Sequence, residues 1–315
     1  MQRVSSCASL YCRAAERNGE QGGRPMSQVA VITDSTASLP EEMYARYKIT
    51  MVPYYVHFAG RVARDMVDIK PAEFNAYLLA LSEKEDLPKT ANPGPGDYLE
   101  AFSAAAERAK ELVSFHMTSA GSGAYQAALV AKEMAQERLR GVRIEVVDTR
   151  NVSMCHGWIT LQAARAAAEG ADLEFILSLV RRMIPATRMI QTADTLRYLY
   201  MGGRIGRAQH LIGSLLNIKP LISMEDGVIT TLGVARTRAG AYRRMASLVE
   251  KAVGPGGRIR LALTHVAAEK EAKLLQEMVA ELVTPVETLF CELSPALAVH
   301  SGPGTVGLCY VPEQV

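Results

Sequence analysis

The sequence predicts an α/β fold of two α/β domains. The first holds a doubly wound, mostly parallel sheet, and the second a mixed sheet with helices. Three observations carry this. Short apolar runs alternate with helical patterns through the first half, as at 29–33, 112–117 and 142–148. Two of these runs end in small polar residues that lead into a helix. The second half carries a hairpin signal, Glu225-Asp226-Gly227, between apolar runs at 218–223 and 228–234, which brings antiparallel strands into the sheet. The boundary falls near residue 170, giving domains at 28–170 and 171–315.

Each element follows from its residues. VAVIT at 29–33 is a buried strand; Asp34-Ser35-Thr36 follows, and a helix opens at Ser38-Leu39-Pro40, where proline suits the first turn. ITMVPYYVHF at 49–58 reads as a second strand, turned by Ala59-Gly60-Arg61. A helix over 71–82 puts Phe74, Tyr77, Leu78 and Leu81 at helical spacing. Three prolines and two glycines at 88–96 exclude helix and central strand, so a structured loop is expected. A helix over 97–110 precedes the strand at 112–117, and an alanine-rich helix spans about 124–140. Strand 142–148 and helix 152–169, ended by Gly170, complete the first domain. In the second, helix 172–184 stops at Pro185, 187–192 is a strand, and a short helix at 194–200 is broken by Gly202-Gly203-Arg204-Ile205-Gly206. After the hairpin come helix 237–253, strand 259–265, helix 267–282 and strands 286–292 and 306–311.

Composition narrows the function. The chain has 315 residues, 22% of them charged, and a formal net charge of +2, too balanced to argue for nucleic acid. Its five cysteines are scattered with no CxxC pair, which argues against a zinc site or a disulfide framework and fits a reducing cytoplasm. No apolar run approaches the roughly 18 residues of a membrane span, so no integral membrane segment is expected. Residues 1–27 are polar, lack the apolar core of a secretory signal, and are expected to be a disordered extension.

The most informative stretch is LVSFHMTSAGSGAYQ at 112–126. Strand, small polar turn and helix aim hydroxyls and free N–H groups at one point, which favours an anion. A plain helix cap uses the same residues, and both readings stand here. Thr90, Thr118 and Ser119 are candidate donors, because hydroxyls hold an anion while costing little to desolvate. A carboxylate on a long apolar tail suits that balance. His300, before Ser301-Gly302-Pro303-Gly304, can donate to a carboxylate; His265 is a weaker candidate. Arginines at 204, 207, 236, 238, 243 and 244 form either a solvated face or a patch for phosphate or a partner. There is no GxxxxGK[ST] loop, no HExxH, no GxSxG and no carboxylate set resembling a metal site. The pattern favours binding over catalysis, with no catalytic or metal-ligating residue assigned.

Six segments together resemble the DegV family of bacterial fatty-acid-binding proteins: VAVITDSTASLP at 29–40, KTANPGPGDYLEAF at 89–102, MTSAGSGAYQAA at 117–128, VVDTRNVSMCHG at 146–157, LRYLYMGGRIG at 196–206 and HSGPGTVGL at 300–308. They run in family order from residue 28 almost to the C-terminus. The resemblance implies two α/β domains with a long-chain fatty acid as the bound ligand and no cofactor. The carboxylate would sit at the domain junction and the tail in an apolar tunnel.

By the same resemblance the carboxylate would be held by Thr90, Thr118, Ser119 and His300. Arg204, with Arg236 or Arg238, would meet a partner or phosphate. The chain departs from the family pattern at Ala91 and Thr118, where serines are usual, in the turn at 121–124, and at Met201, where lysine is common. Some members of the family serve an ATP-dependent fatty acid kinase that forms the acyl phosphate used in phospholipid synthesis. A fatty acid kinase is therefore the expected partner, supplying the ATP site this chain lacks. Burying a tail of about 14–16 carbons offers on the order of 10 kcal/mol before ordering costs, so the tail dominates affinity and the hydroxyls set orientation. The alternative is a small-molecule kinase or phosphotransferase related to dihydroxyacetone kinase, which calls for a polar pocket facing His300 or His265.

Overall fold

A computed structural model describes residues 29–82, 85–211 and 218–315. The expected extension at 1–27 lies outside the described residues. The chain is α/β throughout, with a parallel sheet in its first half and a mixed sheet in its second.

The first sheet has four parallel strands in the order β2-β1-β6-β7, where β1 is Val29–Asp34, β2 Thr50–Val52, β6 Glu111–His116 and β7 Arg143–Asp148. Strand β1 is buried on both faces, and its alternating side chains go to opposite sides. Ala30 and Ile32 join one apolar cluster with α3 (Pro95–Ala106) and α4 (Ala124–Arg138). Val29 and Val31 join another with α5 (Ser153–Ala168) and α6 (Leu173–Ala186). Helices on both faces explain why these strands read as continuous apolar runs.

The second sheet has six strands in the order β10-β9-β8-β13-β11-β12: Val228–Ala235, Lys219–Glu225, Arg188–Thr192, Val306–Pro312, Arg258–His265 and Thr284–Glu292. Only the β11–β12 pair is parallel. One face packs on α8 (Arg238–Val253) and α9 (Glu269–Ala280), through Leu261, Leu263, Met245 and Leu275. The other meets α5, whose Cys155 and Trp158 share a cluster with Met189, Cys309 and Val311. Helix α5 is thus covered by both sheets. That accounts for the alanine, glycine and apolar residues that make up most of it: Ser153, His156 and Thr160 are buried with them, and only Gln162, Arg165 and Ala168 reach toward solvent.

Four local expectations differ. The helix expected to stop at Pro185 runs on to Ala186, with Pro185 in its last turn. The strand expected at 49–58 is two strands, β2 and β3 (Tyr55–Phe58), split at Pro53, whose nitrogen cannot donate to a ladder. Strand β3 leaves the parallel sheet and forms a three-stranded antiparallel sheet, β4-β3-β5, with Arg61–Arg64 and Lys89–Ala91. The loop expected at 88–96 therefore contains a short strand ahead of Pro93. Finally, the segment leading to His300 is a helix, α10 (Pro295–Ser301), opened by Ser294-Pro295. Two further short helices are α1 (Glu41–Arg46) and α2 (Pro71–Ala80), and α7 is Arg197–Met201.

Candidate functional site

In an open parallel sheet the crevice lies beyond the carboxyl ends of the strands, where strand order reverses. Here that point falls between β1 and β6. Their exit loops carry Asp34-Ser35-Thr36 and Met117-Thr118. A cavity of about 170 Å³ lies at this edge, within a cleft of about 880 Å³ that includes its mouth. Met117, Thr118, Ala120 and Gly121 form its wall on the first half. Strands β8 to β10, helix α10 and the segment around α7 form the wall on the second. Met189, Leu199, Ile222, Met224, Leu293 and Leu297 make most of it apolar; Thr118, Gln191, Arg204, His300 and Ser301 supply polar groups.

His300 and Thr90 are brought together although 210 residues separate them: His300 Nε2 pairs with Thr90 Oγ1 at 2.8 Å. Helix α10 is held in place by the first half. Its Ala296 N–H donates to Asp65 Oδ1 at 3.1 Å, and Ser294 N–H donates to Ser38 Oγ at 3.1 Å. Asp65 is fully buried, which raises its carboxyl to about 6 against the lowering effect of donors on Ser35, Ala296 and Ser294. His300 Nδ1 is buried without a partner among the described residues. It lies so close to Gly202 that a Cβ there would fall 2.3 Å from it. The first glycine of the Gly-Gly-Arg run is thus required by this histidine. Burial, reinforced by the positive charge of Arg204, lowers the His300 pKa to about 4. At neutral pH the ring is uncharged, one nitrogen donating and the other accepting.

Thr118 and Ser119 are neighbours with different surroundings. Thr118 is 3% exposed, lies on the cavity wall, and donates to the Gly227 carbonyl at 2.8 Å. Gly227 sits at φ +78° in the turn between β9 and β10, and a Cβ there would fall 2.4 Å from Thr118 Oγ1. Arg150 makes a second link to this turn through Asp226 at 3.0 Å. Ser119 is exposed and does not line the cavity. Its hydroxyl donates to Asp148 Oδ2 at 2.5 Å, and its N–H faces the same carboxylate at 3.3 Å.

The arginines also divide. Arg204 is exposed at the cavity, with one hydrogen bond to the Gly202 carbonyl at 2.6 Å. Arg236 is exposed without a polar partner among the described residues. Arg238 is committed: it pairs with Asp194 and donates to Tyr242 Oη at 3.0 Å and to the Gly304 carbonyl at 2.9 Å. Burial pushes Asp194 upward, but Lys219 and Arg238 together hold its carboxyl below the usual range.

A second polar centre lies behind the cavity wall. Asp34 is fully buried; it accepts from Thr36 N–H at 3.0 Å, from the Thr36 hydroxyl, and from Met117 N–H at 3.1 Å. It therefore ties the loop after β1 to the loop after β6. His116 and His156 flank it, each with Nδ1 at 3.9 Å. His116 Nε2 pairs with Ser114 Oγ at 2.8 Å, and His156 Nε2 with Thr33 Oγ1 at 2.8 Å. Burial lowers both histidines, His116 to about 3. Asp34 was legible only as the start of a polar turn. Its role emerges from a partner 83 residues away. Among the described residues, no group of His, Cys, Asp and Glu has the spacing of a metal site, and no helix is long and apolar enough to cross a membrane.

Known proteins share this architecture. A family model described as "Uncharacterised protein, DegV family" matches residues 28–313. A DegV domain-containing protein of Caldanaerobacter subterraneus subsp. tengcongensis is 33% identical over 288 residues, covering 90% of this chain and 99% of its own. A solved structure described as "Fatty Acid Binding of a DegV family Protein from Thermus thermophilus" superposes with a TM-score of 0.83 at 32% identity, over 90% of this chain and 99% of that one. DegV of Bacillus subtilis, described as a fatty acid binding protein, gives 0.80 at 27% identity, over 91% of this chain and 100% of its own. The chain belongs to the DegV family.

Proposed function

We propose that this chain binds a long-chain fatty acid at the junction of its two α/β domains, 28–170 and 171–315. The carboxylate is held by His300 and Thr90, with Thr118 joining them by exchanging its bond to the Gly227 carbonyl for one to the ligand, and the tail lies among the apolar residues of the cavity. One observation carries the reading: a mostly apolar cavity lined by a neutral histidine, His300, whose Nε2 is paired with the half-buried Thr90 hydroxyl just off the lining. A neutral imidazole and hydroxyls can bind a carboxylate without a buried counter-charge, whereas desolvating lysine or arginine costs far more. The fatty-acid-binding relatives support the same ligand. Ser119 enters the site by exchanging its bond to Asp148 for one to the ligand.

In this reading the chain is a cytoplasmic carrier that presents its ligand to an ATP-dependent fatty acid kinase for acyl phosphate formation. The absence of a GxxxxGK[ST] loop from the sequence supports a separate ATP-binding partner. Arg204 and Arg236, both exposed, are the contacts offered to that partner or to the phosphoryl group, with Arg238 shaping the same surface. The mostly apolar wall disfavours the small-molecule phosphotransferase reading, and His265 does not line the cavity.

Native mass spectrometry of the purified protein, followed by solvent extraction, tests the ligand. A retained mass of a long-chain fatty acid is expected. A protein that is empty and takes up no added hexadecanoic acid overturns the reading. Transfer of labelled phosphate from ATP to the bound acid, in the presence of a fatty acid kinase, tests the partner.

A further inference from the structure

Gln191 is out of character with its surroundings. It sits on β8 at the centre of the second sheet and is 5% exposed. It lines the cavity, and its carboxamide has no hydrogen-bond partner among the described residues. Its neighbours on that wall are apolar. Met189 lies two residues before it, on the same face of the strand, and Ile222 is its register partner on β9. Across β13 its register partner is Gly307, so no side chain reaches over to it from that side. The carboxamide is open to the cavity rather than sealed in the interior, so it is a polar group offered to whatever fills that space, where a leucine of similar size would complete an apolar wall.

We infer that Gln191 is a specificity-determining residue that recognises a hydroxyl group on the ligand's acyl chain. A carboxamide offers both a donor and an acceptor, and a hydroxyl is the small group that answers both. A saturated chain answers neither, and an alkene offers only a weak acceptor. The preferred ligand class is therefore a hydroxy fatty acid. This rests on the fatty-acid reading above and deepens it.

The test is a binding comparison of hexadecanoic acid with a set of its mid-chain monohydroxy isomers, on the full chain and on Gln191→Leu. Wild type is expected to bind at least one hydroxy isomer about five- to tenfold more tightly than the plain acid, the scale of one net hydrogen bond. Gln191→Leu is expected to reverse that order while binding the plain acid at least as well. Gln191→Met serves as a second, unbranched replacement and should behave like the leucine variant. If wild type binds the plain acid as tightly as every hydroxy isomer, or if both replacements keep the hydroxy preference, the inference is overturned while the fatty-acid reading stands. If wild type binds neither class, both fall.

Discussion

The molecule uses one chemical pair in two ways. At the cavity, Thr90 and His300 meet at 2.8 Å. Behind the wall, Thr33 meets His156 and Ser114 meets His116 at the same 2.8 Å, on either side of Asp34. The two regions differ in access and in what surrounds them. The inner pairs are fully buried and converge on a carboxylate that also takes backbone N–H groups from two loops. In the outer pair His300 lines the cavity and Thr90 is half-buried off the lining, and no carboxylate bonds to either among the described residues. A histidine–hydroxyl pair builds the fold when the chain supplies the acceptor. It is available to a ligand when the chain does not.

The largest effect expected from this contrast is at Asp34. Asp34→Ala strands Met117 N–H, Thr36 N–H and the Thr36 hydroxyl in the interior. It should lower the urea unfolding free energy by about 3–5 kcal/mol, the sum of several unmet buried donors. A loss below about 1 kcal/mol would erase the distinction between the two regions.

At the cavity the expected loss is in binding. His300→Ala should weaken fatty acid binding about ten- to a hundredfold while changing stability by about 1 kcal/mol or less. Gly202→Ala should do the same by a steric route, since its Cβ would fall 2.3 Å from His300 Nδ1. Calorimetric binding and thermal melts on both variants separate the effects. A large fall in stability with unchanged affinity would make the outer pair structural as well.

The pH dependence of stability sharpens the comparison further. Burial holds His116 near 3, below its unfolded value of about 6.5, so the unfolded chain takes up the proton first. The stability this group contributes is present above about pH 6.5 and is lost as pH falls toward its folded pKa, by up to about 1.4 kcal/mol per pH unit. Asp65 has the opposite sign. Its carboxyl is raised to about 6, so its contribution is present at low pH and is lost as pH rises from about 4 toward that value. His116→Gln should flatten the acid limb of the stability profile and Asp65→Asn should steepen it. Parallel profiles for His116→Gln and wild type between pH 6.5 and 4 would remove His116 from this account.

The smallest effect is expected at Ser119. It is exposed and bonded to Asp148, so Ser119→Ala should change stability by no more than about 0.5 kcal/mol. Because it stands off the cavity wall, affinity should fall less than for His300→Ala. An affinity left unchanged would show that Ser119 keeps its bond to Asp148 and does not enter the site when the ligand binds.

Much of the fold was legible because its signals are local. Strands β1, β6 and β7 and helices α4, α5 and α8 lie close to where periodicity and capping placed them, and the Asp226-Gly227 turn closes the hairpin as read. The failures are local conflicts as well. Pro53 divides one apolar run between two sheets, and Ser294-Pro295 starts a helix hidden behind a glycine-rich turn. Gln191 carried a signal, a polar residue within an apolar strand, but only burial beside a cavity gives it meaning.

What the sequence determined by itself was the order of strands and helices, the small polar turns at the ends of β1 and β6, and the set of hydroxyls and histidines able to bind an anion. Residues within a few positions of one another decide those features. Tertiary structure alone decided that Thr118 faces the cavity and Ser119 faces Asp148, that His300 meets Thr90, and that Asp34 joins two loops. Thr118 is separated from Gly227 by 109 residues and Thr90 from His300 by 210. Contacts over such distances depend on how two sheets pack around α5, and no local pattern of residues encodes that packing.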